Sequence, residues 1–168
     1  MLKKIFLIIF FNFFFLNPSI SADKIAFIDL DLVIQKSKEG SKILKELNII
    51  SKNNIDEIQK LQVDLEKQEK SILNKKNIIS EEDYKKELSS LRSKISEYRL
   101  IKDKKIEEFN KIKNNKIGDF FDKINPIIQK YMDDNSLDLL FDRKNVFIGK
   151  VNSDITNNII SLIDKNYK

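Results

Sequence analysis

From Ser41 to Ile117 the chain runs 77 residues without a glycine or a proline. Those two residues are the strongest local breakers of regular structure, so a run of this length reads as long helix. Short strand-like segments lie on both sides of it, at Lys24–Asp29 and Asp138–Asp142. Together they predict an α+β, mainly α, architecture, in which a small β-rich body carries a long helical insert between its strands.

The insert is read by its period. A three-four spacing visits Leu44, Leu47, Ser51, Asn54, Ile58, Leu61, Leu65, Gln68 and Ile72, a heptad seam with a polar stretch at Ser51 and Asn54. Asn74, Lys75, Lys76 and Asn77 then place cations where a helix C-terminus favours them, with a residue tolerant of left-handed backbone just after. Ser80 is a good N-cap, and Glu81, Glu82 and Asp83 supply negative charge to the first turn. A second seam carries Tyr84, Leu88, Leu91, Ile95 and Tyr98, skips at Lys102 and Lys105, and resumes at Phe109 and Ile112. After a phase shift it continues through Ile117, Phe120, Ile124, Ile127 and Tyr131. Two seams with a short connection predict an antiparallel hairpin over 41–125, turning near 77–80. Its arms, about 36 and 44 residues, would reach roughly 55 to 65 Å at about 1.5 Å per residue. Pro126 cannot donate the backbone bond a helix interior expects, which predicts a kink or break near Ile124.

The body is written in fragments, residues 22–40 and 126–168. In the first strand Ile25 and Phe27 should share one face, with Ala26 and Ile28 on the other. Asp29 or Asp31 would cap a brief helix through Gln35. Asp138–Asp142 reads as a second strand, Arg143–Asn145 as a turn and Val146–Gly149 as a third strand. Ser153 or Asp154 then opens a last amphipathic helix carrying Ile155, Ile159, Leu162 and Ile163. Three such short strands cannot bury their own faces, and a small unit without disulfide or metal needs further copies of itself. The residues expected to form that oligomerisation body are Ile25, Phe27, Ile28, Leu139, Phe141, Val146 and Ile148.

Composition narrows the chemistry. Met1–Lys4 is basic and Ile5–Leu16 is a twelve-residue apolar block interrupted only by Asn12, short of the about 20 residues a membrane span needs. Residues 1–21 therefore read as a secretory signal, cleaved near Ser21 or Ala22. The chain has no cysteine and no histidine, so a disulfide framework, a zinc site of the usual ligands and imidazole catalysis are excluded. Asp29, Asp31, Asp138 and Asp142 lie near strand ends, where cap and turn chemistry accounts for them without catalysis. Neither an enzyme nor a cofactor is expected.

Charge and exposed apolar residues suggest a binding surface instead. Between Ser41 and Ile117 there are 19 basic against 14 acidic residues, whereas 22–40 with 118–168 hold 10 against 12. The excess peaks at Arg99, Lys102, Lys104, Lys105, Lys111, Lys113 and Lys116. Such a face attracts acidic polypeptide segments or anionic lipid by long-range steering, and each lysine also suits a solvated helix face. Nucleic acid is not an expected partner of an exported chain. Ile49, Ile50, Ile55, Val63, Leu100, Ile101 and Ile106 lie off the seams and are candidates for apolar client contacts, although residues beside a seam also widen its packing.

Five segments occur in a fixed order around the insert: Ala22–Ala26 (ADKIA), Gln35–Gly40 (QKSKEG), Asp138–Asp142 (DLLFD), Asn145–Ile148 (NVFI) and Asp154–Thr156 (DIT). In them the chain resembles the Skp family, also called OmpH, over its whole mature length. The resemblance implies a homotrimeric periplasmic holdase. Three bodies would form a joint core, and three hairpins would enclose a cavity that holds unfolded outer-membrane β-barrel proteins without ATP. The chain departs from the family in having Asn135 and Ser136 where a glycine often precedes the second strand, and in arms poorer in alanine. A coiled-coil structural or adaptor protein of the cell envelope, binding one fixed helical partner, is the second reading. Selectivity separates the two.

Overall fold

The computed structural model describes residues 23–167, so the predicted signal segment lies outside the described residues. Strand β1 (Ile25–Ile28) leads into a short helix α1 (Leu30–Lys36), then α2 (Lys38–Lys75) and α3 (Glu81–Asn135). Strand β2 (Leu139–Asp142), two 3-10 turns (Arg143–Asn145 and Val151–Ser153) and helix α4 (Thr156–Asn166) complete the chain. The mainly helical α+β architecture is as expected, with the hairpin α2–α3 inserted between the two strands.

The strands pair in parallel, with Ile25 opposite Leu139 and Ile28 opposite Asp142. A parallel pair needs a crossover, and here the whole hairpin supplies it. On the other edge of β1, Phe27 forms a bridge with Asp154, and the Ile155 amide donates to the Phe27 carbonyl at 3.0 Å. Both edges of β1 are thus taken within the chain. The third strand expected over Val146–Gly149 does not form; that segment connects the two 3-10 turns. Phe147 and Ile148 stand in solvent instead, 103% and 86% exposed, because β1 has no vacant edge for them.

The two residues expected on one face of β1, Ile25 and Phe27, are unequally covered. Ile25 is exposed, while Ala26, Phe27 and Ile28 are all buried. Phe27 is covered because the Arg143 guanidinium lies 5.8 Å from its ring centroid and Gly149 packs against the ring edge. Ala26 and Ile28 join Val33, Ile34, Phe120, Ile124, Ile155, Ile159 and Ile163 in one core, so α1, the base of α3 and α4 close around β1.

Local sequence explains the element ends. Asp29 caps α1, its Oδ1 accepting from the Leu32 amide at 2.8 Å, while its own amide donates to Thr156 Oγ1. The buried Ser37 ends α1 and begins α2: its amide donates to the Val33 carbonyl and its Oγ accepts from the Gly40 amide. At the far end of the arm α2 stops at Lys75, and Ser80 caps α3 by accepting from the Asp83 amide at 3.1 Å. Helix α3 runs unbroken through Pro126 to Asn135, so of the kink or break predicted near Ile124 the break does not occur. Buried Ile124 before the proline and half-buried Ile127 and Ile128 after it anchor both sides. Asp122, whose carbonyl loses its helical donor, is exposed to water. Ser136 then turns left-handed (φ 54°, ψ 47°), the conformation for which glycine is usual.

Beyond the body the two helices have only each other. No residue of α2 from Asn48 to Ser71 is buried, nor any of α3 from Arg92 to Asp119. Near the tip Ile72 and Leu91 are buried again. The 38 residues of α2 extend about 57 Å at 1.5 Å per residue, in line with the expected reach.

Candidate functional site: the arms and the open face of the body

The seven cations singled out on α3 separate into three groups. Lys105 is drawn into the gap between the helices, bonding Glu57 at 2.5 Å and Asn54 at 3.5 Å, and Lys116 bonds Glu46 at 2.8 Å. Lys104 pairs with Glu108 along its own helix at 3.8 Å. Arg99, Lys102, Lys111 and Lys113 are exposed and make no ion pair among the described residues. The lysine hydrogen bond, and then the lysine charge, hold both Glu46 and Glu57 below the ordinary carboxylate value. The cationic surface open to a partner is therefore about half of the set the sequence suggested, because Lys105 and Lys116 pair across the hairpin and Lys104 pairs along its own helix.

The apolar candidates separate too. Ile55 and Ile106, from opposite helices, meet in a shallow cleft of about 110 Å³ with Ile58 and Phe109. Ile101 lines a second cleft of about 250 Å³ with Leu61, Leu65 and Tyr98. Val63 lies in an open depression on α2 among Asp56, Lys60 and Lys67. Ile49 and Leu100 point into solvent, and Ile50 is half-buried. Ile78 at the hairpin tip, 80% exposed, was not among the candidate contacts.

In the body, Phe27 and Ile28 are consumed by the chain's own core and Val146 is half-buried. Ile25, Leu139, Phe141 and Ile148 remain exposed, and Ile25 and Leu139 are register partners. Phe147 and Val151 join them as exposed apolar residues that sequence reasoning missed. The apolar run in Val146–Gly149 pointed to a strand, but only the fold reveals that this segment has no partner within one chain. The loop is held by ion pairs at both ends: Lys144 with Asp31 and Arg143 with Asp154, each at 2.8 Å. The hydrogen bond to Asp31 raises the Lys144 pKa.

The carboxylates near the strand ends have structural duties. Asp29 caps a helix, Asp138 Oδ2 accepts from the Lys24 amide at 2.8 Å, Asp142 Oδ1 accepts from the Lys144 amide and Asp31 pairs with Lys144. No group of three or more histidine, cysteine, aspartate or glutamate side chains is placed to hold a metal among the described residues. The arrangement offers extended contact surfaces rather than an enclosed reaction site.

Comparison with known proteins agrees with this geometry. No curated protein matches the chain. A crystal structure described as a candidate OmpH-like outer membrane chaperone from Caulobacter crescentus has the same fold: the TM-score is 0.76 at 17% identity, with 88% of each chain covered. The family model of OmpH-like outer membrane proteins matches residues 24–163, which takes in both strands, the whole hairpin and most of α4. The chain is thus a member of the OmpH-like outer membrane protein family.

Proposed function

We propose that the exported chain is an ATP-independent periplasmic holdase that binds unfolded outer-membrane β-barrel proteins and keeps them from aggregating. The observation that carries this reading is the middle of the arms, where no residue is fully buried and Ile49, Ile55, Val63, Leu100 and Ile106 are exposed apolar residues on helices otherwise rich in charge. A holdase wants many weak, interchangeable contacts, and small exposed apolar groups on a solvated scaffold provide them without driving self-aggregation. Arg99, Lys102, Lys111 and Lys113 would add steering of acidic segments, and would equally suit anionic lipid headgroups. The description of the Caulobacter crescentus structure as an outer membrane chaperone supports the same role.

The working unit in this proposal is a homotrimer. Ile25, Leu139, Phe141, Phe147, Ile148 and Val151 are too many exposed apolar residues for so small a body to leave in water. The outer edge of the two-stranded sheet and the unpaired 146–149 segment give another copy backbone groups to pair with.

The test is the solution mass of residues 22–168 together with their effect on several unrelated unfolded outer-membrane barrels. A trimer that keeps all of them soluble at similar stoichiometry is the expected result. A monomer without activity would overturn the proposal, and a product that binds one folded helical partner alone would establish the adaptor reading instead.

A further inference from the structure

Besides the longer contact of Lys105 with Asn54 at 3.5 Å, made by a lysine already paired with Glu57, five polar ties cross from α2 to α3: Glu39–Lys123 at 3.6 Å, Glu46–Lys116 at 2.8 Å, Glu57–Lys105 at 2.5 Å, Gln68–Lys94 at 2.7 Å and Lys75–Glu87 at 3.0 Å. In each of these five the two residue numbers add to 162, so all five belong to one antiparallel register. On both helices successive ties stand 7, 11, 11 and 7 residues apart. Seven residues fall about 20° short of two full helical turns and eleven overshoot three turns by about 20°, so the drifts cancel and the ties stay on one flank of the hairpin.

We infer that this ladder is a register lock, and that its unequal intervals are what make it selective. The apolar seam cannot set the register alone, because leucines, isoleucines and tyrosines at three-four spacing look alike after a slip of one heptad. A slip of seven in one direction keeps Glu39 and Glu46 opposite lysines, Lys130 and Lys123, but sets Glu57 against Ile112, Gln68 against Ile101 and Lys75 against Lys94. In the other direction Glu46 meets Phe109, Glu57 meets Tyr98 and Gln68 meets Glu87. A slip of eleven spares the centre, where Glu57 would meet Lys116 and Gln68 Lys105, and fails at the ends, where Glu39 meets Asp134 and Lys75 meets Tyr98. A ladder of equal rungs would tolerate a slip by its own period; this one tolerates neither. The lock rests on the hairpin alone and stands whether or not the chain holds clients.

Cross-linking tests it, since the chain has no cysteine of its own. In residues 22–168, Ile50→Cys with Ile112→Cys marks the observed register, and Ile50→Cys with Asp119→Cys marks a slip of seven. A short bismaleimide should link the first pair within one chain, at monomer mass on a denaturing gel, and leave the second unlinked. Replacing the central rungs by Glu57→Leu and Gln68→Leu, which suit Ile112 and Ile101 in the slipped state, should raise the product of the second pair about tenfold. Glu57→Lys alone should also release the slip, and adding Lys105→Glu should restore the original pattern. The lock is refuted if the leucine variant leaves the second product unchanged. Should that variant not fold, the charge exchange decides: a double variant that slips as much as the single one refutes the lock.

Discussion

Gly40 is the residue on which the junction of body and arm depends. A Cβ there would lie 2.2 Å from the Ile34 carbonyl oxygen and 2.7 Å from its Cα, and both are backbone atoms. Gly40→Ala must therefore part α1 from α2, and is expected to cost about 2–4 kcal/mol in urea unfolding. Gly118 lies mid-helix with open space around it, so Gly118→Ala should stabilise by about 0.5–1 kcal/mol in the same assay. A loss of similar size at both sites would discredit the close-approach account. The sequence marked Gly40 only as the edge of a breaker-free run; it could not show that α1 folds back so tightly that no side chain fits. Phe27 teaches the same lesson, since its burial depends on Arg143 and Gly149, more than a hundred positions away.

At the scale of elements, the arm should respond to acid in a defined direction. Glu46 and Glu57 are held below the ordinary carboxylate value in the folded chain by the hydrogen bonds and charges of Lys116 and Lys105. Their contribution to hairpin stability is complete above the unfolded value and is lost as pH falls through the lowered folded values. The melting temperature should thus be level from neutral pH to about 5 and decline below that, and Glu46→Gln with Glu57→Gln should flatten the decline. An unchanged slope in the double variant would refute the assignment. Pro126 offers an independent check. It removes a backbone bond from an otherwise continuous helix, so Pro126→Ala is expected to raise stability by about 1–3 kcal/mol by urea unfolding. The helices, the Asp29 and Ser80 caps and the tip turn were legible because each depends on residues within one or two turns, whereas the last helix opens after Ile155 without a side-chain cap and not at Ser153 or Asp154. The segment 146–149 was misread because a strand is a relationship: its short apolar run was present, but both edges of β1 were already taken.

For the whole molecule, the exposed body face and the open cations make separate predictions. Phe147→Glu with Ile148→Glu changes residues that touch solvent in the single chain, so helical content by circular dichroism should hold while the assembled mass falls toward that of one chain. Assembly equal to the parent's would remove this loop from the proposed interface. Replacing Arg99, Lys102, Lys111 and Lys113 by glutamine should slow capture of an acidic unfolded barrel several-fold at low salt and have little effect at 0.5 M, where exposed charges are screened. The number of copies was not legible in the elements themselves; only the resemblance implied it. One feature of the body also orders events in time. Lys24 and Asp138, joined by a hydrogen bond, are 114 residues apart in the chain. Closing so wide a gap from an open coil is entropically costly and slow, whereas the hairpin can zip through near neighbours and deliver both ends to the same place. The arms thus act as the chain's own folding jig, and the first strand made is the last to find its mate.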